Sequence, residues 1–447
     1  MAKKTQIFEC QHCGTKSSKW LGRCANCGAW DSFLELKEEQ ILSLKQTENI
    51  KAIPITEIKQ EEFIRFSSGE SELDIVLGGG IVLGGLYLVG GSPGVGKSTL
   101  LLKISSNLAK NDKRVLYVSG EESGSQIKMR AERLGALNPN LFLLNEIKLE
   151  SILAAFREGT PKGAYEMLVI DSIQTLYCEN ISSSPGSVSQ VREVTFELMR
   201  LAKNSGVAIF IIGHITKEGS IAGPRILEHM VDCVLYFEGD SSQELRFLRG
   251  FKNRFGTTSE VGIFEMKPQG LIGAKEASKF FFQQKTASPG SALSVILEGS
   301  RALVLEVQAL VSDCAYGAPK RSSTGFDSNR LNMILALLER KLEIPLNRYD
   351  VFINITGGIK ILETAADLAI VAAILSSFRN RTLSNNSVFI GEVSLVGDIR
   401  EVSNIDQRLN EALNLGIQKA ILPKKPSKQT GIKCFEVQEV TKILDWM

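Results

Sequence analysis

Histidine and tryptophan are scarce in this 447-residue chain, three of each, and cysteine is limited to eight. Eight cysteines in so long a chain exclude a disulfide scaffold. No apolar run reaches the roughly 18 residues needed to cross a bilayer. The opening residues, MAKKTQIFECQHCG, lack the apolar stretch of a secretory leader. The expected location is therefore cytoplasmic, without membrane contact. Neither sign of charge dominates, since 52 Lys and Arg stand against 50 Asp and Glu. A net charge of +2 confines any nucleic-acid surface to local patches. Internal repeats and long low-complexity tracts are also missing. The 43% of hydrophobic residues is ordinary globular composition, enough to pack two or three domains.

Four of the eight cysteines fall in two close pairs, Cys10-Gln-His-Cys13 and Cys24-Ala-Asn-Cys27, while Cys178, Cys233, Cys314 and Cys434 are scattered and read as buried or inert thiols. Two thiolates separated by two residues face one ion across a tight turn, and two such knuckles complete a tetrahedral four-sulfur site. Gly14 and Gly28 follow each second cysteine, where a knuckle turn favours a residue with positive φ. The expectation is structural Zn²⁺ held by Cys10, Cys13, Cys24 and Cys27. Iron, or a redox pair without metal, is the competing reading. His12 reads as a spare surface residue beside the four sulfurs. The segment 1–36 has almost no aliphatic core, so metal binding is expected to supply on the order of 10 kcal/mol toward folding it.

A polar stretch at 37–62 reads as a linker. From 63 to about 275, apolar strands (LYLVG, VLYVSG, MLVIDS, VAIFIIGH, CVLYFEG) alternate with amphipathic helical stretches, the pattern of βαβ units on a doubly wound, mostly parallel sheet. Val191, Val194, Leu198, Leu201 and Ala202 recur at helical spacing, with Gly206 at the expected C-terminal cap. The segment 286–447 again mixes strands and helices and is long enough for a further α/β domain.

Directly after LYLVG, Gly91-Ser92-Pro93-Gly94-Val95-Gly96-Lys97-Ser98-Thr99 fits the phosphate-binding loop pattern and opens a helix. Its glycines let backbone N–H groups close on phosphate oxygens, Lys97 brings an ammonium to the β/γ-phosphates of ATP, and the Ser98 hydroxyl is a ligand for Mg²⁺. Asp171, ending the strand LVID, is the expected second Mg²⁺ ligand, through water. Hydrolysis needs a carboxylate to orient the attacking water, and Glu121 and Glu122 follow VLYVSG; Glu121 is the chosen base. The competing reading makes both acids ordinary first-turn residues of the next helix. His214, ending VAIFIIGH, stands where a side chain senses the γ-phosphate, or else is a polar residue at a strand end.

Together with Lys252-Asn-Arg-Phe-Gly256, which stands as the family's KNRFG signature, these residues make the chain similar to the bacterial RadA/Sms family over nearly its whole length. The resemblance implies an α/β fold of three parts: the four-cysteine zinc module, a RecA-like P-loop ATPase core, and a Lon-protease-like C-terminal domain. It further implies a DNA-dependent ATPase of recombination and repair that moves on single-stranded or branched DNA, built as a homo-hexameric ring. A RecA-type recombinase or the replicative machinery is the implied partner. Within such a ring Lys252 and Arg254 act across a subunit boundary, as an arginine finger does. DNA-facing loops correspond to residues 180–190 and 216–225, with Lys217 and Arg225 as phosphate contacts. Ser92 departs from the aspartate frequent in the family's P-loop, with little effect expected because that loop works through its backbone.

A Lon-type protease needs a serine activated by a lysine. Here Ala365 stands at the serine and Arg400 at the lysine, and neither can perform that chemistry. The third segment is therefore expected to be a scaffold. Lys320, Arg321, Arg330, Lys424, Lys425 and Lys428 are candidate DNA-channel cations or plain surface charge. Two other functions remain open at this point: a RecA-like regulatory switch that binds protein partners, and, against the Ala365 and Arg400 assignments, an ATP-dependent protease.

Overall fold

The computed structural model of the chain describes residues 64–214, 224–239, 245–274, 288–314, 317–384, 386–427 and 431–446, and, within the first 62, residues 8–10, 16–17, 19–25, 27–28, 30, 33–35, 54 and 56. The chain divides into two compact units, 1–62 and 63–447.

In the first unit the strand Phe8–Cys10 pairs antiparallel with Lys16–Ser17 on one side and Phe33–Glu35 on the other. Its described interior is Cys24 and Phe33, while Trp20 and Trp30 stay exposed. A segment this short and this poor in aliphatic residues does not hold a fold by burial alone.

The second unit is built on a nine-stranded sheet. Its order is Gly270–Gly273, Val261–Lys267, Leu245–Asn253, Cys233–Glu238, Leu86–Gly91, Ala208–His214, Met167–Asp171, Val115–Ser119, Leu141–Leu144. The six strands from Cys233–Glu238 onward are parallel, and the other three extend the sheet antiparallel. The doubly wound expectation holds, because alternate residues feed opposite layers. In the central strand, Tyr87 and Val89 pack with Leu100, Leu101 and Ile104 of the helix Lys97–Lys110. Leu86 and Leu88 pack with Val191, Val194 and Leu198 of the helix Val188–Ser205. Ser187 caps that helix by accepting from Gln190 N, and Gly206 ends it at φ 70°.

A second, seven-stranded sheet follows in the order Arg321–Thr324, Tyr349–Ile355, Arg301–Asp313, Ser291–Glu298, Ser387–Phe389, Lys419–Leu422, Lys433–Glu436. The helix Asp367–Arg379 lies against it, buried on all sides over residues 367–376, as its nearly unbroken apolar sequence requires. The two sheets share apolar packing. Leu245, Phe247, Val261 and Ile263 of the first belong to the same core cluster as Ile296, Leu303 and Leu305 of the second. Arg301 adds an ion pair with the buried Glu72, and Arg249 adds another with Glu298 at 2.7 Å. The third segment is thus docked on the antiparallel extension of the ATPase sheet.

Candidate functional site

Gly91 ends the central strand with φ 149°, where a Cβ would stand 2.5 Å from the Phe237 carbonyl oxygen, so no side chain fits the turn into the loop. Gly96 precedes the helix Lys97–Lys110 with no side-chain cap. The first-turn N–H groups of that helix are thus not capped by a side chain of residue 96, and they and the helix dipole form an anion seat. Lys97 is 3% exposed, and its ammonium donates to the carbonyls of Gly91 at 2.8 Å and Ser92 at 3.0 Å. Burial pulls its pKa down to about 8, against the opposing pull of Asp171 and Glu121.

Asp171 ends its own strand in register with Ser119, one strand over. It is 6% exposed, and its Oδ2 accepts from the Tyr117 hydroxyl at 2.6 Å. Ser98 also hydrogen-bonds this carboxylate. Burial raises the Asp171 pKa, and the Tyr117 and Ser98 bonds oppose that rise. Glu121 accepts a hydrogen bond from the Ser172 hydroxyl, next to Asp171. Glu122 is used differently: its Oε1 takes Arg130 Nη2 at 2.6 Å, and its backbone carbonyl accepts from Asn145. The structure therefore gathers Lys97, Ser98, Glu121 and Asp171 at the C-terminal ends of the parallel strands, the location of ligands in open α/β sheets. The backbone of His214 pairs with Gly91 beside the loop, while its side chain lies outside the described residues.

The donor set fits Mg²⁺, because Ser98 and Asp171 offer a hydroxyl and a carboxylate, hard oxygens already bonded to each other. For Zn²⁺, the described half of the site has knuckle geometry: Gly28 at φ 75° donates its N–H to Cys24 O at 2.9 Å, turning the chain between Cys24 and Cys27. Cys13 and His12, and the side chain of Cys10, lie outside the described residues. Among the described residues, no three His, Cys, Asp or Glu side chains come together as a metal cluster.

The KNRFG segment lies elsewhere. Arg254 N donates to Asp232 O, and Asp232 N to Leu86 O, each at 3.0 Å, which fixes the segment at the N-terminal end of the central strand. Five residue-to-residue steps of strand, Leu86 to Gly91, put it about 16 Å from the phosphate loop. Lys252 is already committed: its ammonium donates to Glu228 O and Val231 O at 2.8 Å and to His229 O at 3.3 Å, closing the end of the helix Pro224–Met230. Burial, then Arg254, holds its pKa below the usual lysine range. Arg254 pairs with Asp232 at 3.1 Å and keeps half its side chain in solvent, on the wall of an open groove of about 1220 Å³ lined also by Arg192, Phe196, Lys203 and His229.

Of the two DNA-loop candidates, residues 180–190 are tied down by the buried Gln190, whose amide donates to Cys178 O, Ile181 O and Ser183 O. Residues 216–223, with Lys217, and the side chain of Arg225 lie outside the described residues, as does Lys428. In the C-terminal segment Ala365 is buried and Arg400 is exposed, its backbone in register with Glu392. Arg330 turns inward onto the fully buried Asp367 and donates to Val393 O at 2.8 Å. Its charge is thus engaged by Asp367. Arg321 and Lys424 pair with Glu339 and Glu401 at 3.2 and 3.1 Å.

Two further residues stand out in the structure, Tyr117 and Arg408. Arg408 is wholly buried and grips both oxygens of Glu363, at 2.6 and 2.7 Å, and Val295 O at 2.7 Å. An aromatic in a strand and an arginine on an amphipathic helix carry no sequence signal for such roles. No helix among the described residues is long and apolar enough to cross a membrane.

Three family models match the chain: a rubredoxin metal-binding domain at residues 8–35, an AAA domain at 54–220, and subunit ChlI of Mg-chelatase at 321–426. Proteins named DNA repair protein RadA are similar over the full length. The Helicobacter pylori strain J99 protein is 65% identical and the Campylobacter jejuni protein 61%, each covering all of both chains. The Bacillus subtilis protein is 46% identical over 99% of each chain. The resemblance read from the motifs is borne out: a zinc ribbon precedes a P-loop ATPase domain and a Lon-like C-terminal region, and the chain belongs to the DNA repair protein RadA family.

Proposed function

We propose that this chain is a DNA-dependent ATPase of homologous recombination and DNA repair, which moves on single-stranded or branched DNA and drives branch migration by converting ATP and water to ADP and phosphate. The observation that carries the reading is the convergence of Lys97, Ser98, Glu121 and Asp171 at one end of the sheet. Relatives named as DNA repair proteins support the substrate. In this reading the N–H groups of 91–99 cradle the phosphates, Lys97 leaves its two carbonyl partners for the β/γ-phosphates, and Glu121 orients water toward the γ-phosphorus. Ser98 and Asp171 would hold Mg²⁺, which supplies positive charge against the transferring phosphoryl group.

Six copies form the working ring, with Arg254 of one serving the nucleotide of the next. Its distance of about 16 Å from its own phosphate loop, measured along the strand, supports action in trans. Lys252 then acts by holding the segment that presents Arg254. The zinc module (1–36), linker (37–62), ATPase core (63–275) and Lon-like scaffold (286–447) are the functional parts, and a RecA-type recombinase or replicative machinery is the partner. Steady-state phosphate release with and without single-stranded DNA tests the reading. The rate is expected to rise with DNA and to vanish in Lys97→Ala. A rate indifferent to DNA would instead favour a regulatory switch.

A further inference from the structure

The nine-stranded sheet carries a buried hydroxyl with no part in the roles assigned above. Tyr117 stands in the middle of the strand Val115–Ser119, two residues before the one that pairs with Asp171, so its side chain and that of Asp171 emerge on the same face. Its neighbours on that face, Val169 of the next strand and Phe210 beyond it, are apolar. Phenylalanine would satisfy the packing equally well. The hydroxyl is what needs a reason, since a buried polar group is costly unless bonded, and its bond goes to Asp171 Oδ2 at 2.6 Å.

We propose that Tyr117 is a positioning residue for the magnesium site, fixing the rotation of the Asp171 carboxylate so that it meets Ser98 and the metal's hydration shell in one orientation. The inference rests on the ATPase reading of this site. An aspartate carboxylate turns freely about its last bond. With Oδ2 held by a phenol that is itself locked in the sheet, that rotation is lost before nucleotide arrives. Ser98, at the start of the phosphate-loop helix, holds the same carboxylate from the other element. The carboxylate is thus gripped between two elements, and removing one grip leaves it free to turn about the other. Partners that orient a metal ligand typically set metal affinity by about 10- to 100-fold, and a neutral donor places this case near the lower end. The phenol is buried in the apolar cluster of the sheet, which leaves the Asp171 carboxylate as its hydrogen-bond partner.

The test is the linkage between Mg²⁺ and ADP, read by calorimetry on the full chain, with hydrolysis as a second readout. For Tyr117→Phe the ADP affinity without metal should lie within about twofold of wild type, which certifies the fold and the phosphate loop. The strengthening of ADP binding by Mg²⁺ should fall about tenfold. The Mg²⁺ concentration for half-maximal hydrolysis should rise by a similar factor, with turnover largely restored at saturating Mg²⁺ and KM for ATP little changed. Tyr117→Met, which fills the space with neither ring nor hydroxyl, should show the same loss of linkage. A linkage in Tyr117→Phe within twofold of wild type overturns the proposal, and so does a loss seen in Tyr117→Met alone, which would assign the effect to packing. Failure of the wild type to bind ADP more tightly with Mg²⁺, or to hydrolyse ATP, would instead sink the ATPase reading beneath it.

Discussion

Removing the Lys252 ammonium separates the two cations of the KNRFG segment. Its Nζ donates to three backbone carbonyls at the end of the helix Pro224–Met230, where the helix dipole also favours a positive charge. Carbonyls in the last turn of a helix have no intrahelical partner. Three contacts from one partly solvated ammonium contribute about 2 kcal/mol to holding that turn. Lys252→Met keeps the stem and deletes the charge, so amide exchange across 227–231 should speed up about 30-fold. Arg254→Ala deletes only a half-exposed pair with Asp232 at 3.1 Å, worth at most about 1 kcal/mol and about fivefold in exchange. Hydrogen exchange read by mass spectrometry on peptides spanning this helix measures both. ATP hydrolysis should fall in both variants, for different reasons: loosened presentation of the segment in one, a missing cation in the other. Unchanged exchange in Lys252→Met together with lost hydrolysis would refute the reasoning and return Lys252 to a direct role across the subunit boundary.

Lys97→Ala should leave less than a tenth of the wild-type phosphate release, because the loop loses its ammonium over the phosphates. With Lys97 near pKa 8, about half the population is neutral at pH 8, and bound phosphates restore the proton. ATP binding at pH 8 should therefore take up about half a proton, seen as a dependence of calorimetric enthalpy on buffer ionisation. Cys24→Ser should lose zinc by elemental analysis while ATP affinity of the core stays within about twofold, since the described interior of the module is little more than Cys24 and Phe33.

The phosphate loop was legible because its chemistry lies in backbone geometry at fixed spacing, and the parallel strands because each reads as a short apolar run between turns. What escaped was whatever joins distant parts of the chain. Lys252 and Arg254 look alike in a pentapeptide, but the carbonyls that claim Lys252 come from a helix more than 20 residues earlier. Arg330 reads as surface charge until Asp367, 37 residues on, turns it inward. Leu245, Phe247, Val261 and Ile263 signal a half-buried sheet without saying that the second sheet's core covers them. Tyr117 looks like any aromatic in a strand, because a hydroxyl's partner cannot be read from its own segment.

The central claim is that hydrolysis at the Lys97–Asp171 site does mechanical work on DNA. It is tested most directly by following a fluorescently labelled four-way DNA junction to its separated duplex products, in parallel with phosphate release. The account predicts products with wild-type protein and ATP, none with a non-hydrolysable ATP analogue or with Lys97→Ala, and recovery of activity when Arg254→Ala and Lys97→Ala subunits are mixed, because a mixed boundary joins an intact loop to an intact Arg254. Brisk phosphate release that is indifferent to DNA, with the junction left intact, would contradict it.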